Sequence, residues 1–582
     1  MSLPLDPSVR APVSLAPGWR RTALSPLAIG LFVLAACAIL LSLPISLPLG
    51  PMYWDVVVYI DGGWRVLSGQ IPAVDFFAPI GPLGYWLFAA GMKLFPQAQP
   101  VLLAQWMVMP ITLGALLPVL QRVDRGSRAL ALALLLPFLV FQLLPTNLEQ
   151  YSTYPSFDGY GIYNRHVAQL LYPLAVALVF ERRQRVLLCV VGAICTALFL
   201  TKITGFVAGG MLCAFAFAAG RVRLRTALGA LLGFAVVLGL LQLGFGLTTA
   251  YLSDIALLVS MNEGVLLSRF LQASSLHFGI LASGCLLVLT LLLTERRSVL
   301  ADAQALSRHP LAARGWTTLL DRNAFWLAAA LFAGLFFETQ NTGSQAFLFV
   351  WPILLSIACN ASRHSNRGTV AVLVLVAATA MPPFVNVLHR SSRAIVGQLA
   401  YPRVPVADLK MLFSVTQRPE VLERATAMLD NYAGFPDTYR DLATRGQLPT
   451  FGLYSDLDFQ ASLLMTFEEA VEAVRALEAE RGVRFETVMS LNFVNPFPYL
   501  LERKAPLHIA IGADPFRAVP PLDAQTLEAV RDADLILYPT CPITTSNEEL
   551  KAIYADGLKG RTTVPLGRCW TGYVRAGLSG TL

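Results

Sequence analysis

Apolar runs of membrane-crossing length recur through the first two thirds of this chain, and they constrain its fold more than any other feature. They fall at about 24–48, 100–120, 128–145, 166–181, 186–201, 203–220, 226–248, 276–294, 324–338, 345–359 and 369–387. A helix needs about 20 apolar residues to cross a bilayer, because hydrocarbon satisfies no open backbone. Only 14% of the 582 residues are charged, against about a quarter in a soluble globular chain. The pattern predicts a polytopic α-helical membrane protein with about eleven transmembrane helices. The apolar stretch 82–95 is shorter, about fourteen residues, which predicts a re-entrant or interfacial helix. The first run follows Arg20 and Arg21, is too long for a signal peptide and ends without an A-x-A site, so an uncleaved span is expected.

Charge orients the bundle. With 82–95 left uncrossing, one set of loops holds Arg10, Arg20, Arg21, Arg122, Arg125, Arg182, Arg183, Arg185, Arg221, Arg223, Arg225, Arg296, Arg297, Arg308, Arg314, Arg322, Arg363 and Arg367. The opposite loops hold Arg65 and Arg269, with Arg165 at a boundary. That asymmetry predicts a cytoplasmic N-terminus and a tail on the outer side. It also accounts for the net charge of +7 without nucleic acid. A bacterial inner membrane with a periplasmic tail is the expected location.

The chain divides into a transmembrane domain, 1–390, and a soluble domain, 391–582. In the second, a helical stretch is expected near 405–430, strands at 451–455, 485–491, 507–511 and 535–538, and helices at 466–480, 523–531 and 547–554. Thr466 is expected to start the first of these three helices. Strand–helix alternation argues a small α/β domain. It carries no glycine fingerprint for a nucleotide. Cys541 and Cys569 can pair if this domain is extracytoplasmic, and the other six cysteines lie in or beside apolar runs with no metal spacing.

The residues that could carry chemistry lie on the outer side. Asp55, Asp61 and Asp75 occupy the first outer loop. The second, about 146–164, holds Asn147, Glu149 and Asp158; the third holds Asp254, Glu263 and Arg269; a fourth holds Glu338. Lys202 is the only lysine between Lys93 and Lys410. A lone lysine at membrane depth must snorkel, pair, or face a lipid phosphate. Asp61 precedes Gly62 and Gly63, which suits a turn or cap. Asp55 emerges from the first span between Trp54 and Tyr59, where partial desolvation would raise its pKa and suit it to general-base work.

These stretches resemble a family. Asp55-Val-Val-Val-Tyr59 resembles the Asp-Glu-x-x-Tyr motif that follows the first span of GT-C class polyprenyl-phosphate-sugar glycosyltransferases, in the protein O-mannosyltransferase and lipid A aminoarabinose transferase branch. Pro79-Ile-Gly-Pro82-Leu-Gly-Tyr85-Trp86 stands where that family has Lys-Pro-Pro-Leu-x-Tyr-Trp. Gly69-Gln-Ile-Pro72-Ala-Val-Asp75-Phe76 is similar to its Gly-x-x-Pro-x-x-Asp-Phe pattern. Leu200-Thr-Lys202-Ile-Thr-Gly205 is similar to a segment whose lysine contacts the donor phosphate. The family's Glu is Val56 here and its Lys is Ile80 or Gly81, so no metal requirement or cofactor is carried over.

The resemblance implies a GT-C-like fold and an inverting glycosyltransferase. It would move a sugar from a polyprenyl-phosphate donor in the bilayer to an extracytoplasmic glycolipid, lipopolysaccharide, polysaccharide or protein. Asp55 would be the base, with Asp75 a second catalytic candidate. Lys202, Tyr59 and Tyr85 are candidate donor contacts, joined by Arg65, Arg165 and His166, chosen by side and depth. A flippase for lipid-linked sugars is the alternative, though it needs charges on several spans and often repeated halves. A polysaccharide polymerase or ligase shares the donor and the outer site.

Overall fold

The computed structural model describes residues 25–578 except 263, 311, 340–342, 346, 408 and 449–455. Arg10, Arg20, Arg21, Glu263 and the strand expected at 451–455 lie outside the described residues.

A helix coincides with every apolar run. Pro100–Gly126, Gln184–Thr201, Leu224–Phe245 and Asn366–Gln398 are long and apolar enough to cross a membrane. Phe278–Thr294 and Asn323–Glu338 pass together with short helices bent against them by 77° and 79°. Pro26–Leu41, Arg128–Leu143, Ile203–Ala218 and Leu348–Arg363 are shorter apolar helices. Ile162–Phe180 completes the bundle, its flanks buried on all sides. Ser25, Ser127 and Ser365 cap three of these helices by accepting backbone N–H bonds. The molecule is thus a multi-span helical membrane protein with a mixed α/β region at its C-terminal end.

Charge separates the two ends of the bundle. At one end Arg122 and Arg183 meet Glu181, Arg221 meets Asp321 and Arg322 meets Glu295. The opposite end gathers the acidic loops and the C-terminal region. Between them, Gln142 donates to Gln169 and Gln169 to Gln345, each at 3.0 Å. Such buried amides tie helices together where apolar packing alone gives little specificity.

The first span is shorter than the run 24–48. Its helix stops at Leu41, because Pro44, Pro48 and Pro51 cannot continue it. Leu47–Pro48 instead pairs in parallel with Val415–Thr416 of the C-terminal region. The 82–95 stretch forms a 13-residue helix, Pro82–Leu94, packed on Trp54–Leu67. Asn366–Gln398 runs unbroken through residue 390.

The C-terminal sheet has four strands in the order Val488–Ser490, Leu535–Pro539, Trp570–Val574, Thr562–Leu566. The first pair is parallel and the others antiparallel. Several expectations need correction. In the 405–430 stretch the α-helix is Pro419–Gly434, after a single 3₁₀ turn at Lys410–Phe413. The helix expected to start at Thr466 is Leu457–Arg481, preceded by Asp456 and running through Thr466. The expected strand 507–511 forms no sheet; its N–H groups bond the first loop, His508 to the Asp75 carbonyl and Ile511 to the Phe77 carbonyl. Helices Ala524–Asp532 and Thr545–Ile553 form where expected, capped by Asp523 and Thr544. Cys541 and Cys569 are disulfide-bonded.

Candidate functional site

The helix Trp54–Leu67 organises the candidate site. Its entry is held by the C-terminal region: the Trp54 N–H donates to the Gln460 side chain, and its indole packs 5.2 Å from the Phe493 ring. Asp55 therefore sits in the first turn, where a helix favours negative charge. It is half-buried and accepts a hydrogen bond of 3.1 Å from the Gly161 N–H. Gly161 has φ +70°, and a Cβ there would meet the Gly343 carbonyl at 1.8 Å, so only glycine fits. Burial pushes the Asp55 carboxyl up to about 6; the Gly161 bond and the charges of Arg165 and Arg517 act the other way.

Tyr59 and Tyr85 lie beside it with ring centroids 5.6 Å apart. Both are buried, and neither hydroxyl finds a partner among the described residues. A Cβ on Gly62 would strike the Tyr85 ring at 2.3 Å. The Gly62–Gly63 pair therefore admits the Pro82–Leu94 helix rather than making a turn. Asp61 is likewise no turn residue: mid-helix and buried, it pairs with Arg65 at 2.9 Å.

Arg65 is not brought to Asp55. It lies nearly three turns further along the helix, about 15 Å by helix rise, and bonds Asp61, Gln70 and the Pro506 carbonyl. Asp75 is occupied too: its Oδ2 accepts from the Ile71 N–H at 2.6 Å and shapes the loop. His166 donates through Nε2 to the Ala104 carbonyl at 2.7 Å, a satisfied core histidine. Arg165 is fully buried and holds Gln105, Asn147 and the Tyr160 carbonyl. Its charge reaches Asp55, but its donors fix the loop that supplies Gly161.

Lys202 forms the tight turn between Gln184–Thr201 and Ile203–Ala218. Its ammonium donates to Asn164 Oδ1 at 2.7 Å and lies 5.1 Å from the Tyr163 ring centroid. Burial lowers it to about 8, with Glu338 opposing and Arg269 assisting. Beside it opens a shallow groove lined mainly by Pro79, Ile80, Ile203, Tyr251, Ile255 and Leu258. One cation at the mouth of an apolar groove is an amphiphilic arrangement.

Arg517 and His277 escaped the sequence reasoning, and Arg269, Glu149 and Glu338 entered it only as residues of the outer loops. The charge of Arg269 acts on Lys202, and that of Arg517, from the C-terminal region, acts on Arg269 and Asp55. Glu149, His277 and Glu338 bring one potential metal-ligand atom each to within 4.8 Å of one another. They come from three separate segments, so no sequence spacing could reveal them. Burial and the neighbouring Glu338 carboxylate push Glu149 up to about 7, with His277 opposing.

The fold is similar to that of ArnT from Cupriavidus metallidurans. The crystal structure of ArnT bound to undecaprenyl phosphate matches at 14% identity over 97% of this chain and 100% of that one, with a TM-score of 0.42. The apo structure matches at 12% identity over 96% and 99%, with a TM-score of 0.39. No protein-family model matches the chain, and no curated protein matches it. At that level of likeness the residues of this chain, rather than the comparison, must carry its function.

Proposed function

We propose that this protein is a membrane glycosyltransferase that takes a sugar from a polyprenyl-phosphate donor and passes it, with inversion, to an acceptor outside the cytoplasm. The observation that carries the reading is a half-buried carboxylate with a raised pKa that feels the charge of Arg517, which acts in turn on Arg269, as Arg269 does on Lys202, where an apolar groove opens. Asp55 takes the proton of an acceptor hydroxyl as that oxygen attacks the anomeric carbon. The bond to the phosphate breaks, and the cations stabilise the leaving anion. The groove suits an isoprenoid chain, and the orphaned Tyr59 and Tyr85 hydroxyls suit donor or acceptor oxygens. The Cys541–Cys569 disulfide supports an oxidising compartment for this end of the molecule.

The test is transfer from a set of radiolabelled polyprenyl-phosphate sugars by purified protein in lipid, wild type against Asp55→Asn. Label moving to an acceptor only with wild type is the expected result. Intact donor crossing the bilayer equally with both would replace the reading with transport.

A further inference from the structure

The end of the bundle that carries Asp55 holds a second constellation that the proposed transfer does not use. His277 sits at the break before Phe278–Thr294, Glu338 ends Asn323–Glu338, and Glu149 lies in the loop after Arg128–Leu143. The His277 Nε2 is 3.3 Å from Glu149 Oε1 and 3.3 Å from Glu338 Oε2. That is long for a hydrogen bond. It matches the edge of a tetrahedron around zinc, about 3.3 Å for ligand bonds of about 2.0 Å.

The charges call for a cation. Two carboxylates are crowded in a buried site where, among the described residues, both pair with a single imidazole; the side chains of Glu338 and His277 are 0% and 3% exposed and that of Glu149 is 11%. Neither Glu149 oxygen accepts a well-formed hydrogen bond, although the N–H groups of Glu149 itself and Ser344 face it. An acceptor that is nearly buried and unsatisfied is costly unless something absent from the chain completes it.

The ligands are also held in place. Glu338 Oε1 accepts from the Ser344 hydroxyl, leaving Oε2 for the site. The Glu149 backbone is clamped: Arg390 donates to the carbonyls of Asn147 and Glu149 at 2.7 Å each, and Asn386 to that of Leu148 at 3.0 Å. Arg390 is anchored in turn by Asp158. The His277 ring packs edge-on against Phe347. Outer contacts of this kind orient metal ligands.

We propose that Glu149, His277 and Glu338 form a zinc-class divalent metal site. An imidazole with two carboxylates suits zinc and its transition-metal neighbours, whereas calcium and magnesium prefer oxygen alone. Three protein ligands leave a fourth position open, as in sites that bind water or an exogenous anion. The site adjoins Lys202, whose ammonium lies 5.5 Å from the Phe337 ring, next to Glu338. The proposal stands whether or not the chain transfers sugar.

The test reads the metal itself. Full-length protein in lipid nanodiscs, stripped with chelator and given zinc chloride, should retain about one zinc per chain after gel filtration. Retention should fall at least tenfold in Glu149→Gln, His277→Ala and Glu338→Gln, and hold in Asp55→Asn. Cobalt(II) loaded into wild type should give an intense visible band of low-coordinate geometry, which zinc abolishes. That measurement needs no variant to fold. Zinc at background in wild type, or a weak octahedral cobalt spectrum, overturns the site. Normal zinc with no sugar transfer would sink the transferase reading alone.

Discussion

The raised pKa of Asp55 makes a prediction about pH that an ordinary aspartate would not. A base must be ionised, and this carboxyl titrates at about 6 rather than 3.8. The groups facing it include the Gly161 N–H, Arg165, Arg517, Trp54 and the buried Tyr59 and Tyr85. At pH 5 roughly one tenth of Asp55 is ionised, so transfer should drop about tenfold from pH 7 to pH 5. An unshifted aspartate would stay more than about 90% ionised there and give a flat profile. On the alkaline side Lys202, at about 8, loses its charge, and transfer should fall about tenfold by pH 9. Replacing it as Lys202→Arg should flatten that limb, since a guanidinium stays charged. The assay is single-turnover transfer from a polyprenyl-phosphate sugar, whose phosphodiester does not titrate in this range, to a hydroxyl acceptor. A rate constant unchanged between pH 5 and 7 would refute the role of Asp55 as base.

Other outcomes follow from the same geometry. Asp55→Asn should lower transfer by about 10²–10⁴-fold. Its stability sign is opposite: the folded state raises this pKa, so stability falls as pH rises from about 4 to about 6, by about 2–3 kcal/mol. The Asn variant should thus melt no lower than wild type at pH 7.5 by scanning fluorimetry, and a lower Tm would contradict the burial argument. Asp75→Asn should keep transfer within a few fold and cost about 1 kcal/mol, because its carboxylate serves the Ile71 N–H. Arg165→Lys should lose about 3–5 kcal/mol, since one ammonium cannot serve Gln105, Asn147 and the Tyr160 carbonyl together; an unchanged Tm would mean that network is dispensable. Reducing Cys541–Cys569, 28 residues apart, should cost about 3–4 kcal/mol, seen as a lower Tm with reductant that a Cys541→Ser, Cys569→Ser double variant matches without it.

The spans were legible because hydrocarbon enforces a length and a composition, so each apolar run became a helix. Their edges were less so. Leu43–Leu49 reads as apolar, yet its prolines stop the helix and its backbone pairs with residues more than 350 positions away. The Thr562–Leu566 strand escaped notice because Pro565 argues against one; the strand lies at the sheet edge, where proline is tolerated. Residues 507–511 have a strand's composition, but the first loop claims their N–H groups. In the site, Asp55 and Lys202 were visible through local features, a carboxylate after a span and a solitary lysine. Arg65 and His166 share their side and depth but found partners that no spacing announces. His277 and Arg517 were invisible, because nothing near them in sequence marks what they approach in space.

Arg517 shows why the two halves make one site. At both ends of Trp54–Leu67 the C-terminal region supplies acceptors: Gln460 for the Trp54 N–H at the start, and the Arg503 carbonyl for the Trp64 indole and the Pro506 carbonyl for Arg65 in the last turn. It also brings a positive charge that holds the Asp55 pKa down. Arg517→Ala removes that charge from a residue far outside the membrane half, so the acid limb of transfer should move to higher pH while the alkaline limb keeps its shape. A merely structural Arg517 would lower the plateau and leave the acid limb where it was. The pH profile of the variant therefore decides whether the C-terminal region tunes the base or only packs against it.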